Sequence, residues 1–161
     1  ISNAFAETKI AVINIEEIIQ NSIAIKDANK KLEAKKKKYQ DEITAKEKEL
    51  NAKKSDLESK AKILSEDKLK TSVEDFQKQV VEFQGKVQER EQSLQKAIAE
   101  ARANILDEIK TVVLEMQTED KYDYDIIMLS QALIYNKKEI DISSEVLKRL
   151  NKKVKTITVN F

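Results

Sequence analysis

From Leu69 onward, apolar residues recur at alternating steps of four and three: Leu69, Val73, Phe76, Val80, Phe83, Val87, then Leu94, Ala97 and Ala101. That spacing is the a/d seam of a left-handed coiled coil, and it commits this half of the chain to one long helix. The preceding half carries Ile25, Leu32 and Tyr39 on one ladder and Ile43, Leu50, Leu57 and Leu64 on another, and the chain has no proline to interrupt either. Two long helices are therefore predicted between Ser22 and Met116.

Antiparallel helices keep the sum of facing residue numbers constant. A sum of 133 pairs Leu64 with Leu69, Leu57 with Phe76, Leu50 with Phe83, Tyr39 with Leu94 and Leu32 with Ala101. One register satisfying five apolar pairs favours a hairpin folded on itself, with its tip near Ser65; periodicity alone leaves parallel assembly with another chain open. Ser65-Glu66-Asp67 supplies an N-cap and two first-turn acids for the returning helix. Gly85 inside that helix is a candidate hinge, although a merely tolerated glycine is the plainer reading. The same register places Lys60 opposite Val73, Lys53 opposite Val80 and Lys46 opposite Val87. Lysine stems lying over the valines are one reading of these rows. The other is a thinly covered apolar stripe fringed by cations, a candidate surface for another polypeptide, made of Val73, Val80, Val87, Lys46, Lys53 and Lys60.

The ends differ in character. Lys9 to Ile15 is a short β-rich apolar run that reads as a buried strand, and Asn14 with Glu17 three residues on resembles a capping box for a short helix through Ile18 and Ile19. After Met116, Ile126–Leu129 and Ala132–Tyr135 read as two further strands separated by Ser130-Gln131. Asp141 or Ser143 would cap a final amphipathic helix carrying Val146, Leu147, Leu150 and Val154 on one face. Ile157, Val159 and Phe161 alternate as a terminal strand.

The predicted fold class is α+β: a long antiparallel helical hairpin, residues 22–121, inserted in a small β-rich head made of 7–21 and 122–161. So small a head is near the limit of independent stability, so oligomerisation through its apolar runs is expected, with Ile10, Val12, Ile13, Ile126, Ile127, Leu133 and Ile134 as candidate contacts. Residues 1–6 end in Ala4-Phe5-Ala6, a small-x-small pattern read either as the remnant of an export signal or as a tag scar.

Composition excludes more than it assigns. Thirty basic and 29 acidic residues leave a net charge of +1, so no global field attracts nucleic acid. With no histidine and one glycine, the usual metal ligand, general base and phosphate-cradling loops are missing; no enzymatic activity, cofactor or metal is predicted. Lys35–Lys38 is a basic run that reads as a solvated face or as a patch for anions or lipid headgroups. No segment has the run of about 20 apolar residues a membrane-spanning helix needs.

Together the terminal blocks and the hairpin resemble the Skp, or OmpH-like, family of periplasmic chaperones. The residues that carry the likeness are Lys9-Ile10-Ala11-Val12-Ile13-Asn14, the hairpin turning near Ser65, and Tyr124-Asp125-Ile126-Ile127, Ala132-Leu133-Ile134-Tyr135, Asp141-Ile142 and Val146-Leu147-Lys148. The resemblance implies a homotrimer of β-rich heads whose helical arms surround a cavity and hold unfolded outer-membrane proteins without ATP. It also implies export to the periplasm, and raises lipopolysaccharide or a membrane surface as a further partner with no residues to place it on. The chain departs from the pattern in its near-neutral charge and in the segment from Asn151 to Phe161. Two other functions fit a long coiled coil: a structural spacer or tether, and a cytosolic prefoldin-like chaperone.

Overall fold

A computed structural model describes residues 7–161, so the expectation about residues 1–6 falls outside the described part of the chain. Strand β1 (Ile10–Ile13) is followed by helices α1 (Ile15–Asn21), α2 (Ile23–Lys60) and α3 (Glu66–Met116), strand β2 (Ile126–Leu129) and helix α4 (Ser143–Lys153), with single 3-10 turns at Asp120–Tyr122, Ser130–Ala132 and Lys138–Ile140. This is the expected class, long helices with a small strand region. The two strands pair in parallel, Ile10 with Ile126 through Ile13 with Leu129, so the chain between them makes one long crossover.

The chain forms two compact units. One comprises residues up to Lys31 and Ile98–Asn160; the other comprises Leu32–Ala97 with Phe161. In the first, the head unit, one apolar cluster gathers Ala11 and Ile13 of β1, Ile18 and Ile19 of α1, Ala24, Ile25 and Ala28 of α2, Ile105, Ile109, Val112 and Met116 of α3, and Val146 and Leu150 of α4. Its core is thus built as much from the bases of the long helices as from residues 7–21 and 122–161. The steps from Ala101 to Met116 are four, four, three and four, so α3 keeps one apolar face into this core, which it shares with α1, the base of α2 and α4.

Capping explains where the head elements begin. The Asn14 side chain accepts a hydrogen bond from the Glu17 N–H at 3.1 Å, the expected half of a capping box. Ser22, wholly buried between α1 and α2, is satisfied twice: its hydroxyl donates to the Ile19 carbonyl at 3.1 Å and accepts from the Ile25 N–H at 3.2 Å. The first N–H of α2, at Ile23, donates to the Asn151 side chain at 2.8 Å, which ties α4 to the start of α2. At α4, the Asp141 carboxylate accepts from the Ser143 N–H at 2.9 Å, and the Ser143 hydroxyl in turn accepts from the Asn14 N–H at 2.8 Å.

Two sequence expectations fail here for one reason. The run Ala132–Tyr135 is no strand: it leaves a 3-10 turn into irregular backbone, with Ile134 fully and Tyr135 largely exposed. Nor do Ile157, Val159 and Phe161 form a strand, although Ile157 is buried. β-propensity places a residue in a strand only where a neighbouring edge pairs with it, and neither segment pairs with β1 or β2.

In the second, the arm unit, α2 and α3 run antiparallel. Glu42 pairs with Arg90, and the Lys53 ammonium donates to the Gln79 side-chain oxygen at 2.6 Å. Both pairs lie one residue off the constant sum of 133 that the seam sets, as residues flanking a seam should. The reversal follows Lys60, where the N–H groups of Ile63 and Leu64 both donate to the Lys60 carbonyl at 3.0 Å, and the Ser65 carbonyl opens α3 by accepting from Leu69.

Candidate interaction surfaces

The arm seam is only partly closed. Among its described large apolar side chains, Leu50 alone is buried; Tyr39, Ile43, Leu57, Leu64, Phe76, Val80, Phe83, Val87 and Leu94 are half-buried, and Val73 is 37% exposed. Two helices cover each other's a/d rows from one side only, so a two-stranded seam with lysine at every other facing position cannot seal. The sequence-predicted lysines stand beside this stripe, but each has an acceptor. Lys46 bonds Glu49 at 2.7 Å, holding that carboxyl below its usual range, and Lys60 bonds Asp56 at 2.7 Å. Lys53 reaches across to Gln79 as described. A groove of about 410 Å³ flanks the buried Leu50 level, between Ala45, Lys46 and Glu49 on α2 and Glu82, Phe83 and Lys86 on α3.

Gly85 has a helical backbone with no positive φ, and a Cβ built there meets nothing within 4 Å. Nothing in the local geometry demands glycine. Of the basic run, Lys35 lies over the rings of Tyr39 and Phe161, 5.1 and 5.0 Å from their centroids, while Lys36, Lys37 and Lys38 are exposed.

In the head unit the candidate oligomerisation residues divide into two sets. Val12 and Ile13 are consumed by the chain's own core, at 0% and 6% exposure, and Ile127 and Leu133 are half-buried. Ile10, Ile126 and Ile134 are exposed, joined by Leu129 and Tyr135, which sequence reasoning did not single out. Apart from Ile10 at the start of β1, these lie along β2 and the segment after it.

Comparison with known proteins adds the family. The model of the OmpH-like outer membrane protein family matches residues 9–150, nearly the whole chain. The chain belongs to the OmpH-like family. Among solved structures, a candidate outer membrane chaperone (OmpH-like) of Caulobacter crescentus superposes with a TM-score of 0.87 at 17% identity, covering 99% of this chain and 93% of that one. At that identity the likeness is one of fold. No curated protein matches.

One polar cluster in this OmpH-like chain was not legible beforehand. Arg149 of α4 forms a two-pronged pair with Glu119, its second prong at 3.0 Å, bonds Glu145 through Nε at 2.9 Å, and lies 5.0 Å over the Tyr122 ring. The guanidinium holds both the Glu119 and Glu145 carboxyls below their usual range. Only the Glu145–Arg149 pair, four apart on a helix, had a sequence signal. A carboxyl lowered in the folded state adds stability above its unfolded pKa, and that stability is lost as pH falls through the folded value. The melting temperature of the head is therefore expected to fall on acidification through the carboxylate range. In Arg149→Met that dependence should be shallower, with the neutral-pH melting temperature lowered towards the acid one; parallel melting curves for the two proteins across pH would refute the assignment.

Proposed function

We propose that this OmpH-like chain is an ATP-independent holdase of the periplasm, which assembles as a homotrimer through its head unit and keeps unfolded outer-membrane proteins from aggregating in a cavity between helical arms. Family membership supports the general role, as does the description of the Caulobacter crescentus protein as an outer membrane chaperone. The observation that carries the reading is the unsealed seam. Its half-covered Val73, Val80 and Val87 offer apolar surface worth about 1 kcal/mol each to a chain that covers them, at roughly 25 cal/mol per Å². Contacts of that size hold a client through their number and release it without an energy source. Lys46, Lys53 and Lys60 already have acceptors, so they contribute by exchanging those partners for acidic groups of the client rather than as free charges. Trimerisation is supported by the exposed Ile10, Ile126, Leu129, Ile134 and Tyr135, a large apolar presence for one small unit.

The test is aggregation of an unfolded outer-membrane β-barrel protein diluted from urea, followed by light scattering. The wild-type chain is expected to suppress scattering at a small molar excess of trimer. The triple variant Val73→Ser, Val80→Ser, Val87→Ser should lose most of that effect while keeping its helical circular dichroism and sedimentation. Full suppression by the triple variant would move the client surface off the valine stripe. No suppression by the wild type would leave the arms as a spacer.

A further inference from the structure

Beyond α4 the chain continues outside the part matched by the family model, and it does not hang free. Residues 154–160 lie extended on the head unit. Ile157 enters the apolar core at 7% exposure, Val154 and Val159 pack partly against it, and Thr156 and Thr158 face outward. The direction of the segment follows from its neighbours. Thr156–Thr158 share a cavity with Asn104, Asp107 and Glu108, and the Asn160 side chain reaches Glu100 at 3.4 Å, so the segment runs antiparallel to α3. From Asp107 back to Glu100 the helix rises about 10 Å, and three to four extended residues span about the same distance. The segment is thus laid along α3 with Ile157 and Val159, two residues apart, turned down, and with Val154 three residues earlier, across a bend at Lys155.

What holds it is unusual for an ordered segment. The Val154 N–H still closes the end of α4 on the Leu150 carbonyl at 2.7 Å, but among the described residues no backbone N–H or carbonyl from Lys155 to Asn160 bonds another backbone group. The Asn160–Glu100 contact is long for a hydrogen bond. Anchoring rests mainly on Val154, Ile157 and Val159, the last two at the every-second-residue spacing of any amphipathic strand. Beside the segment a cavity of about 380 Å³ is edged by Asn104, Asp107 and Glu108, acceptors available to the N–H groups or cations of a better-placed occupant.

We propose that this groove on α3 is a docking surface for an extended, neutral-to-basic polypeptide segment with apolar side chains at alternate positions, and that residues 154–160 are its displaceable resident. The segment covers the groove while no partner is present, burying its own Ile157 in the core, and yields to a strand that adds hydrogen bonds to the same apolar contacts. That the competing strand comes from an unfolded client rests on the holdase reading; occupancy of the groove by an extended peptide does not.

A fluorescent synthetic peptide with the sequence of Val154–Asn160 tests the groove directly. A chain shortened after Lys153 should bind it at least about tenfold more tightly than the full chain, whose tethered copy competes at an effective concentration near millimolar. The full-length variant Ile157→Asp should bind like the shortened chain, and a peptide carrying the same substitution should bind neither. Equal affinity for full and shortened chains, or no binding to a shortened chain with wild-type circular dichroism, would overturn the proposal. Should both altered chains unfold, the unmodified protein still decides it: millimolar peptide is expected to accelerate tryptic cleavage after Lys155 several-fold, and an unchanged rate counts against displacement. Light scattering with the unfolded β-barrel protein separates the two ideas. Peptide binding without any suppression of aggregation removes the holdase reading and keeps the groove, whereas suppression without peptide binding removes the groove alone.

Discussion

Replacing Ile105 with aspartate is expected to abolish cooperative folding of the head unit. Ile105 is wholly buried on α3, in the cluster that joins α1, the base of α2, α4 and Ile157. The substitution removes a large apolar side chain, itself worth about 2–5 kcal/mol, and puts a carboxylate into an apolar cluster, which adds several more. A small domain has only about 5–15 kcal/mol to lose. Ile105→Val, which keeps the shape and drops one methyl, should cost about 0.5–1.5 kcal/mol and leave the fold intact. Urea unfolding followed by circular dichroism and amide exchange at Ile109 and Val112 would register the difference. A wild-type melting curve for Ile105→Asp would show that α3 does not carry the head core.

In the arm unit the largest effect belongs to Leu50. It is 7% exposed where the seam residues on either side of it are half-open, so Leu50→Ala leaves a cavity that neighbouring side chains fill incompletely. A loss of about 2–4 kcal/mol is expected, against roughly half that for Leu57→Ala, whose side chain already meets water. Exchange of amides near Ile43–Leu57 and Phe76–Arg90 should quicken, while those of Val112 and Met116, which share no cluster with Leu50, keep their protection. Equal losses for the two variants would mean that the seam is uniformly loose and has no central layer.

The two variants differ in what they say about function. A holdase built on weak contacts needs its apolar stripe open, yet two helices that met nowhere would not stay paired. Leu50 supplies that closure at one level, the Glu42–Arg90 pair joins the helices about two turns away, and Val73 and its neighbours stay accessible at others. Stability of the arm and openness of the stripe are thereby placed on different residues.

Periodicity decided much of this protein before any tertiary contact. The four-three spacing from Leu69 to Ala101 and the ladders before it make helices because each turn repeats the same face, a purely local constraint, and their shared sum makes the hairpin register and the tip near Ser65. Asn14 with Glu17 and the apolar face of Val146 and Leu150 were legible for the same reason: a cap and an amphipathic face are written within a few residues. The stripe of Val73, Val80 and Val87 could be placed, but not the acceptors that Lys46, Lys53 and Lys60 find.

Tertiary structure decided the rest. From Ala101 onward the apolar face of α3 shares one cluster with the base of α2, α1 and α4, so seam and core look alike in sequence and separate only when the ends of the chain fold onto the long helices. Val12 and Ile13 read as contact residues and became core, while Leu129 and Tyr135 came to the surface, because which apolar residue meets water depends on what packs over it. Ala132–Tyr135 and the residues after Lys153 carry strand-like patterns, but a strand is completed by a neighbour's hydrogen bonds, and these are non-local. Arg149 finds Glu119 thirty positions away, and Asn151 caps a helix that begins at Ile23, pairings that no spacing rule encodes.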